Sequence, residues 1–526
     1  MKVLVSDKMG EAGLDIFRNQ EGIELDVKTG LTPDQLKEII GQYDALAIRS
    51  ATNVTKDILD AAVNLKVVAR AGIGLDNVDI EEATKKGVAV MNTPGGNTVT
   101  TAEHAIAMMM ALTRNIPQGT QSMKEGRWEK KSLQGREINN KVFGVIGFGN
   151  IGSIAASLAK GLKMKVIVFD PYISQEHIEK AGFEYATLDQ LYERSDYITI
   201  HVPKMDTTID LLDAEAFAKM KDGVMVINCA RGGIINEEAL YDAIKSGKVA
   251  GAALDVFATE PPGDHPLLTL DQVITTPHLG ASTAEAQTNV AVAAANQIIA
   301  YLLHDTVINA VNVPSVTGEV LKQLKPFLYL SEKMGAMAAQ ITKGGVKQVD
   351  IEYIGQFPDL DLKPITIAGV KGLLSQHVRY EVNSVNAISL AIESGIKITE
   401  STSIEAGNFL NLIRMTIVSD DETNVLEGTI FGKDDARIVR INKFRLEVIP
   451  EGSLSLIHNI DRPGSIGQMG ATLGKHGINI SRMMVGREDD GERNIIFLRT
   501  DTAVPPEVVK EIEDLELVIS MRTFEL

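Results

Sequence analysis

Cysteine is almost absent: Cys229 is the single one in 526 residues. One thiol forms no intrachain disulfide framework and no thiolate metal cluster, and it suits a reducing, cytoplasmic setting. Runs of Lys or Arg are also missing, and a formal net charge of −18 repels a phosphate backbone, so nucleic acid is not an expected partner. No stretch approaches the roughly 18 to 20 apolar residues that a membrane span needs. The opening MKVLVSD turns polar after five residues, and a soluble, untargeted protein without membrane contact is expected. What the chain does have is length: 526 residues at 44% hydrophobic content predict about three or four domains.

From Met1 to about Pro94, β-branched runs (VLVSD, ALAIRS, VVARAG, GVAVMNTP) alternate with stretches of helical period such as LTPDQLKEIIGQY. That alternation predicts a parallel sheet with crossover helices. The segment TAEHAIAMMMALTR at 101–114 is apolar nearly all round, as expected of a helix buried between domains or subunits, with its methionines filling a core. A second βαβ series begins at Lys141 with KVFGVIGFGNIGSIAASLAKGLKMKVIVFD. Its glycines Gly147, Gly149 and Gly152 stand between an apolar strand and a helix, and Asp170 closes the next strand 18 residues beyond Gly152. A G-x-G-x-x-G alone is weak; in this context it predicts dinucleotide binding. Gly149 lets the backbone approach a pyrophosphate, whose charge sits at the helix N-terminus formed by Asn150 and Ile151. Asp170 would accept from the adenosine ribose hydroxyls and repel a 2′-phosphate, which favours NAD over NADP.

Further strands end in residues too polar or constrained for a strand interior. These are His201-Val202-Pro203, Cys229-Ala230-Arg231, Asp255, and the His278–Gly280 segment. In an open parallel sheet the ligand binds beyond the carboxyl ends of the strands, so these residues are expected to face one crevice with the cofactor. Three titratable groups, Glu260, His265 and His278, compete for the chemistry in ATEPPGDHPLLTLDQVITTPHLGAST at 258–283, with Arg231 from an earlier strand end beside them. His265, in a polar turn before a proline, reads as a cap or bystander. Arg231, between Ala230 and Gly232, can offer a bidentate fork to an α-carboxylate. His278 can take a hydroxyl proton while hydride leaves the same carbon, and Glu260 can hold the far imidazole nitrogen, fixing its tautomer. No motif calls for a metal.

With GFGNIG at 147–152, HVP at 201–203, NCARGG at 228–233, ALDVF(x)₂EPP at 253–262 and PHLGAST at 277–283, the chain resembles the D-2-hydroxyacid dehydrogenase family over roughly residues 1 to 310. The resemblance implies Arg231, Glu260 and His278 as catalytic residues. It also implies a cofactor domain (98–284) inserted into a substrate domain (1–97 and 285–312). Within the family, RSATNVT at 49–55, RAGIGLDNVDI at 70–80 and NTPGGNTVTTAEH at 92–104 are similar to the branch that oxidises 3-phosphoglycerate on the phosphorylated route to L-serine. On that basis Arg49, Ser50 and Arg70 are expected to meet the phosphate end of the substrate. Gly72, Ile73 and Gly74 would present backbone N–H groups to its carboxylate, and Lys130, near Trp128, would reach a neighbouring subunit's site.

From about Asn312 the glycine-turn-helix pattern gives way to strands broken by polar loops. Residues 313–443 resemble the extra domain of the long form of that branch. Residues 444–526, with RLEVIPEGSLSLIHNIDRPGSIGQMGATLGKHGINISRMMVGRE, are similar to an ACT domain, a βαββαβ amino-acid sensor. The expected architecture is therefore α/β: two doubly wound parallel-sheet domains, then an α+β intervening domain, then the ACT unit. The resemblance implies a homo-oligomer, dimer or tetramer, and L-serine as effector, bound through Asn459, Asp461 and Asn479. Two other readings fit parts of the pattern, a hydroxypyruvate or glyoxylate reductase of the same family and an NAD-sensing binding protein. The patterned C-terminal unit counts against both.

Overall fold

The computed structural model describes every residue except 305, 315–317, 358–360, 376–381, 406 and 488–492. The first sheet is built from β1 (Lys2–Val5), β2 (Glu24–Val27), β3 (Ala45–Ile48), β4 (Val67–Arg70) and β5 (Ala89–Met91), parallel throughout, in the order β2-β1-β3-β4-β5. Apart from Lys2 at the start of β1 and Arg70 at the end of β4, its central strands are apolar because both faces are covered. Val3, Val5, Ala45, Ala47, Val67 and Ala69 pack on one side against the helices Glu11–Arg18 and Ala284–His304. Leu4, Leu46, Ile48 and Val68 pack on the other against Leu36, Ile40, Ile58 and Leu59. The chain thus returns to the first unit after residue 284, and Asn312 Oδ1 accepts from Val90 N at 2.9 Å.

The second sheet lies between. It comprises β6 (Val142–Ile146), β7 (Lys165–Phe169), β8 (Glu184–Tyr185), β9 (Tyr197–Ile200), β10 (Val224–Asn228), β11 (Val249–Leu254) and β12 (Val273–Thr275), in the order β12-β11-β10-β9-β6-β7-β8, again all parallel. The strand order reverses at β6/β9, the switch point where the adjoining loops diverge and leave a crevice. Helix Thr98–Thr113 crosses from the first unit and buries Ala105, Met108, Met109 and Leu112 against this sheet.

The third sheet, β14-β13-β15-β16-β17-β18, is formed by β13 (Val346–Gly355), β14 (Lys397–Ser403), β15 (Asn411–Ser419), β16 (Thr423–Phe431), β17 (Asp435–Ile441) and β18 (Phe444–Val448). Only its β13/β14 pair is parallel. The fourth is β20-β21-β19-β22, made of β19 (Ser453–Ile460), β20 (Ile480–Arg487), β21 (Arg493–Thr500) and β22 (Val518–Glu525). With helices Ser465–Lys475 and Pro506–Glu513 it has the expected βαββαβ order. The strand Phe444–Val448, expected to open the C-terminal unit, instead forms a hairpin with β17. Asn442 in the left-handed conformation (φ 52°) makes the turn, so the third sheet extends past residue 444.

The back of the fourth sheet packs against the third unit. Leu454, Leu456, Ile495, Phe497 and Phe524 enter the core of the third unit, and Arg522 Nη1 donates to the carbonyls of Gln340 and Ile341 at 3.1 and 2.8 Å. This joined half touches the first unit through Asn383, whose Nδ2 donates to Gly87 O at 2.8 Å, and through Val385 in the core beside β5. Among the described residues no helix is long and apolar enough to cross a membrane.

Candidate active site

A cavity of about 800 Å³ opens between the first two units, where the carboxyl ends of both parallel sheets face each other. The first unit lines it with Arg49, Ser50, Arg70, Gly72, Ile73 and Gly74. The second contributes Asn150, Ile151, His201, Val202, Pro203, Cys229, Ala230, Arg231, Asp255, Glu260, His278 and Gly280.

On the cofactor side, β6 runs into Gly147 at φ 95°. A Cβ there would come within 2.6 Å of His201 O, and one on Gly152 within 1.9 Å of Gly147 O, so both glycines are needed for the helix to seat against the turn. At Gly149 nothing lies within 4 Å. Helix Asn150–Gly161 starts there with no side-chain cap, which leaves its first N–H groups turned toward an open cradle. The donor set and the space fit a pyrophosphate. Asp170, expected to meet the ribose, is bonded to backbone on both oxygens. Its Oδ2 accepts from Phe148 N at 2.7 Å and its Oδ1 from Tyr172 N and Ile173 N at 2.8 and 3.0 Å, which ties the glycine turn to the loop after β7. His201 lies 3.0 Å from Thr199 Oγ1, and burial pushes its imidazole down to about 4, so it is neutral at physiological pH. Burial pushes the Cys229 thiol up, away from reactive thiolate.

On the chemical side, Glu260 Oε2 is 2.7 Å from His278 Nδ1, and Glu260 Oε1 accepts from Phe257 N at 3.1 Å. Both carboxylate oxygens are therefore placed, and Nε2 of His278 is the ring nitrogen left for a substrate. His278 itself has φ 55° and donates its N–H to Asp255 O and Thr276 O, each at 3.0 Å. Arg231 extends from beyond β10 to the opposite wall. Its Nε donates to Asp76 Oδ2 at 3.0 Å and its Nη1 to Ala230 O at 2.7 Å. Gly74 makes room for this crossing, since a Cβ there would fall 1.9 Å from Arg231 Nη2. His265 stays apart. Its Nδ1 accepts from Leu267 N at 3.3 Å, capping the 3₁₀ turn Pro266–Thr269, and its Nε2 lies 3.0 Å from Glu237 Oε2.

The phosphate-side residues divide. Arg49 stands on a loop held by Asp7, whose Oδ2 accepts from the N–H groups of Arg49, Ala51 and Thr52 at 2.6, 3.2 and 3.1 Å. Arg70 is not the free cation the sequence suggests: its Nη1 donates to Gly74 O and its Nε to Arg49 O, so it braces the loops after β3 and β4. Burial, and then the nearby Arg231, lower its pKa. Lys130 lies outside the cavity on an exposed segment beside Trp128. Asp7, Asp76 and His104, none of them singled out from the sequence, each hold one of the residues that was.

Residues 106–280 match the family described as the D-isomer specific 2-hydroxyacid dehydrogenase NAD binding domain. Residues 323–442 match the D-3-phosphoglycerate dehydrogenase intervening domain, and 453–517 the ACT domain. Over its whole length the chain is 42% identical to all of the D-3-phosphoglycerate dehydrogenase of Archaeoglobus fulgidus. The Bacillus subtilis enzyme of that name is 40% identical, with 100% of this chain and 99% of that one covered. The chain belongs to the D-3-phosphoglycerate dehydrogenase family.

Its first two units also align with solved structures. One is a Staphylococcus aureus NAD-dependent formate dehydrogenase in complex with NAD (28% identity, TM-score 0.55, 60% of this chain and 100% of that one). Another is an Aquifex aeolicus D-lactate dehydrogenase complexed with NAD and lactic acid (26% identity, TM-score 0.53, same coverage). NAD is the cofactor of this dehydrogenase. In its ACT unit the three residues expected to bind effector each hold a different partner. Asn459 is buried and its Nδ2 donates to Ser465 Oγ at 2.7 Å, while its Oδ1 has no partner among the described residues. Asp461 pairs with Arg487 at 3.0 Å rather than capping the following helix, and Asn479 Nδ2 donates to Asp501 Oδ2 at 2.8 Å.

Proposed function

We infer that the protein oxidises D-3-phosphoglycerate to 3-phosphohydroxypyruvate, the first step of phosphorylated L-serine synthesis. The observation that carries this reading is the 2.7 Å Glu260–His278 contact placed across the crevice from Arg231. Arg231 keeps N–H groups beyond those given to Asp76 and Ala230 and turns them to the substrate carboxylate. Arg49 and Ser50 meet the phosphate from the Asp7-held loop. His278 Nε2 removes the C2 hydroxyl proton, and Glu260, fixed at both oxygens, keeps the ring aimed and stabilises the imidazolium that forms. NAD, when bound, accepts the hydride that leaves C2. In the reverse direction His278 returns its proton to the carbonyl oxygen.

L-serine, held at an ACT–ACT interface by Asp461 and Asn479, slows turnover. Homo-oligomerisation, as dimer or tetramer, is supported by Ile116, Met123 and Trp128, which are exposed on one stretch of the second unit. Lys130 on that stretch would extend to a partner's crevice. A cytoplasmic location suits the buried, unpaired Cys229. NADH formation with 3-phosphoglycerate, measured with and without serine, tests the reading. Turnover that serine suppresses is expected; NADH formed only from unphosphorylated 2-hydroxy acids would refute the substrate.

A further inference from the structure

His104 has no role of its own in the reaction assigned above, yet its Nε2 lies 3.2 Å from Asp255 Oδ1 and 3.1 Å from Thr276 Oγ1. The Thr276 hydroxyl gives its proton to Asp255 Oδ1. Asp255 also accepts from Leu279 N at 2.7 Å and Gly280 N at 2.8 Å. Every atom facing Nε2 is thus an acceptor, so the imidazole carries its proton on Nε2 and donates it. Burial alone would raise the Asp255 pKa; the bonds from His104, Thr276, Leu279 and Gly280 outweigh it and hold the carboxylate ionised.

Three residues earlier on the same helix, Thr101 Oγ1 is 3.1 Å from Gly280 O. Residues i and i+3 share a helix face, so one face of Thr98–Thr113 grips the turn 276–280 at two points. The fit there is close, since a Cβ on Gly280 would stand 3.1 Å from Asp255 Oδ2 and 3.4 Å from Thr101 Cγ2. Between the two grips is His278, in a left-handed conformation (φ 55°) that a side-chain-bearing residue keeps only where its surroundings impose it.

We propose that His104 is a positioning residue: by donating to Asp255 and Thr276 it locks the turn that aims His278 at the reacting carbon. This rests on His278 being the acid/base group. It also gives the interdomain helix a mechanical task, because Thr98–Thr113 starts directly after the substrate-side residues Asn92–Asn97, of which Asn92 Nδ2 donates to Ile73 O at 2.6 Å.

Three variants of the full chain separate the donor from the ring. His104→Phe keeps the bulk without the donor, and His104→Asn keeps polarity but falls short of Asp255. His104→Gln places an amide N–H near the position of Nε2. Each is read by kcat with 3-phosphoglycerate, by the Kd for NADH, and by amide hydrogen exchange of peptides covering 276–283. His104→Phe and His104→Asn are expected to lose at least tenfold in kcat and to exchange the turn amides at least tenfold faster, with the NADH Kd within twofold of wild type. His104→Gln should stay within threefold of wild type in both. Unchanged exchange in Phe and Asn variants overturns the proposal, as does a Gln variant as impaired as they are. Exchange is read without turnover, so a wild-type protein inert toward 3-phosphoglycerate would refute the reaction assigned above while exchange still decides on His104.

Discussion

At the residue scale, two histidines at strand ends of one sheet are put to opposite uses by burial. His278 is exposed at the mouth of the crevice, where a proton can come and go, whereas His201 is half-buried in the cavity wall beside Thr199. Desolvation depresses the His201 pKa from 6.5 to about 4. The unfolded chain therefore binds a proton between those values that the folded chain does not. Stability from this group is complete above the unfolded pKa and is lost as pH falls toward 4. A neutral His201→Gln variant should gain on wild type by on the order of 2 kcal/mol between pH 7.5 and pH 4.5, measured as the difference in urea midpoints at the two pH values. Parallel behaviour of the two proteins would mean that the imidazole is not desolvated. Carboxylates show the same division of labour. Asp170 and Asp7 are anchored by backbone N–H groups and shape loops, while Glu260 spends one oxygen on a ring nitrogen.

At the element scale, the site depends on strand ends and helix starts meeting at close range. A Gly152→Ala methyl would have to displace the backbone oxygen of Gly147, a crowding that costs about 1–3 kcal/mol. It should raise the Kd for NADH at least tenfold by fluorescence titration; unaltered affinity would show that the helix can shift away from the turn without loss. This is also the scale at which the sequence was most legible. Glycine spacing and abrupt polar residues after apolar runs are local signals, and they led to the crevice-lining groups after β9, β10, β11 and β12. Asp7 closes the run VLVSD, and His104 and Asp76 lie inside the segments 92–104 and 70–80, but nothing local marks any of them as a support. Each sits in an ordinary helical or loop context, and its partner lies 151, 155 or 42 to 45 residues away. Arg70 looked like a free cation because nothing local showed that Gly74 O and Arg49 O would fall within its reach. The boundary near 444 was missed for a related reason: the alternation of RLEV is the same in either sheet, and only its pairing with β17 assigns it.

At the scale of the whole molecule, the C-terminal units form one body. The back of the fourth sheet is continuous with the core of the third unit, and Arg522 caps the long helix Gly318–Ile341. This body meets the first unit through contacts such as Asn383–Gly87, just ahead of β5. If serine favours one of two quaternary arrangements, a coupling of about 1 to 3 kcal/mol gives roughly a 5- to 150-fold effect. Asn479→Ala should lose serine inhibition while its turnover without serine and its NADH affinity remain near wild type, as read by initial rates over a serine titration. Inhibition at the wild-type serine concentration would remove Asn479 from the effector site.

In the proposed reaction His278, aimed by Glu260, moves the proton while NAD is held elsewhere in the same crevice. The most direct measurement compares His278→Gln with wild type for NADH formation from 3-phosphoglycerate, with the Kd for NADH determined on the same samples. Turnover should fall by roughly 10²- to 10⁴-fold with the Kd within about twofold of wild type. Turnover close to wild type, or a loss of activity matched by a loss of NADH binding, would contradict the account.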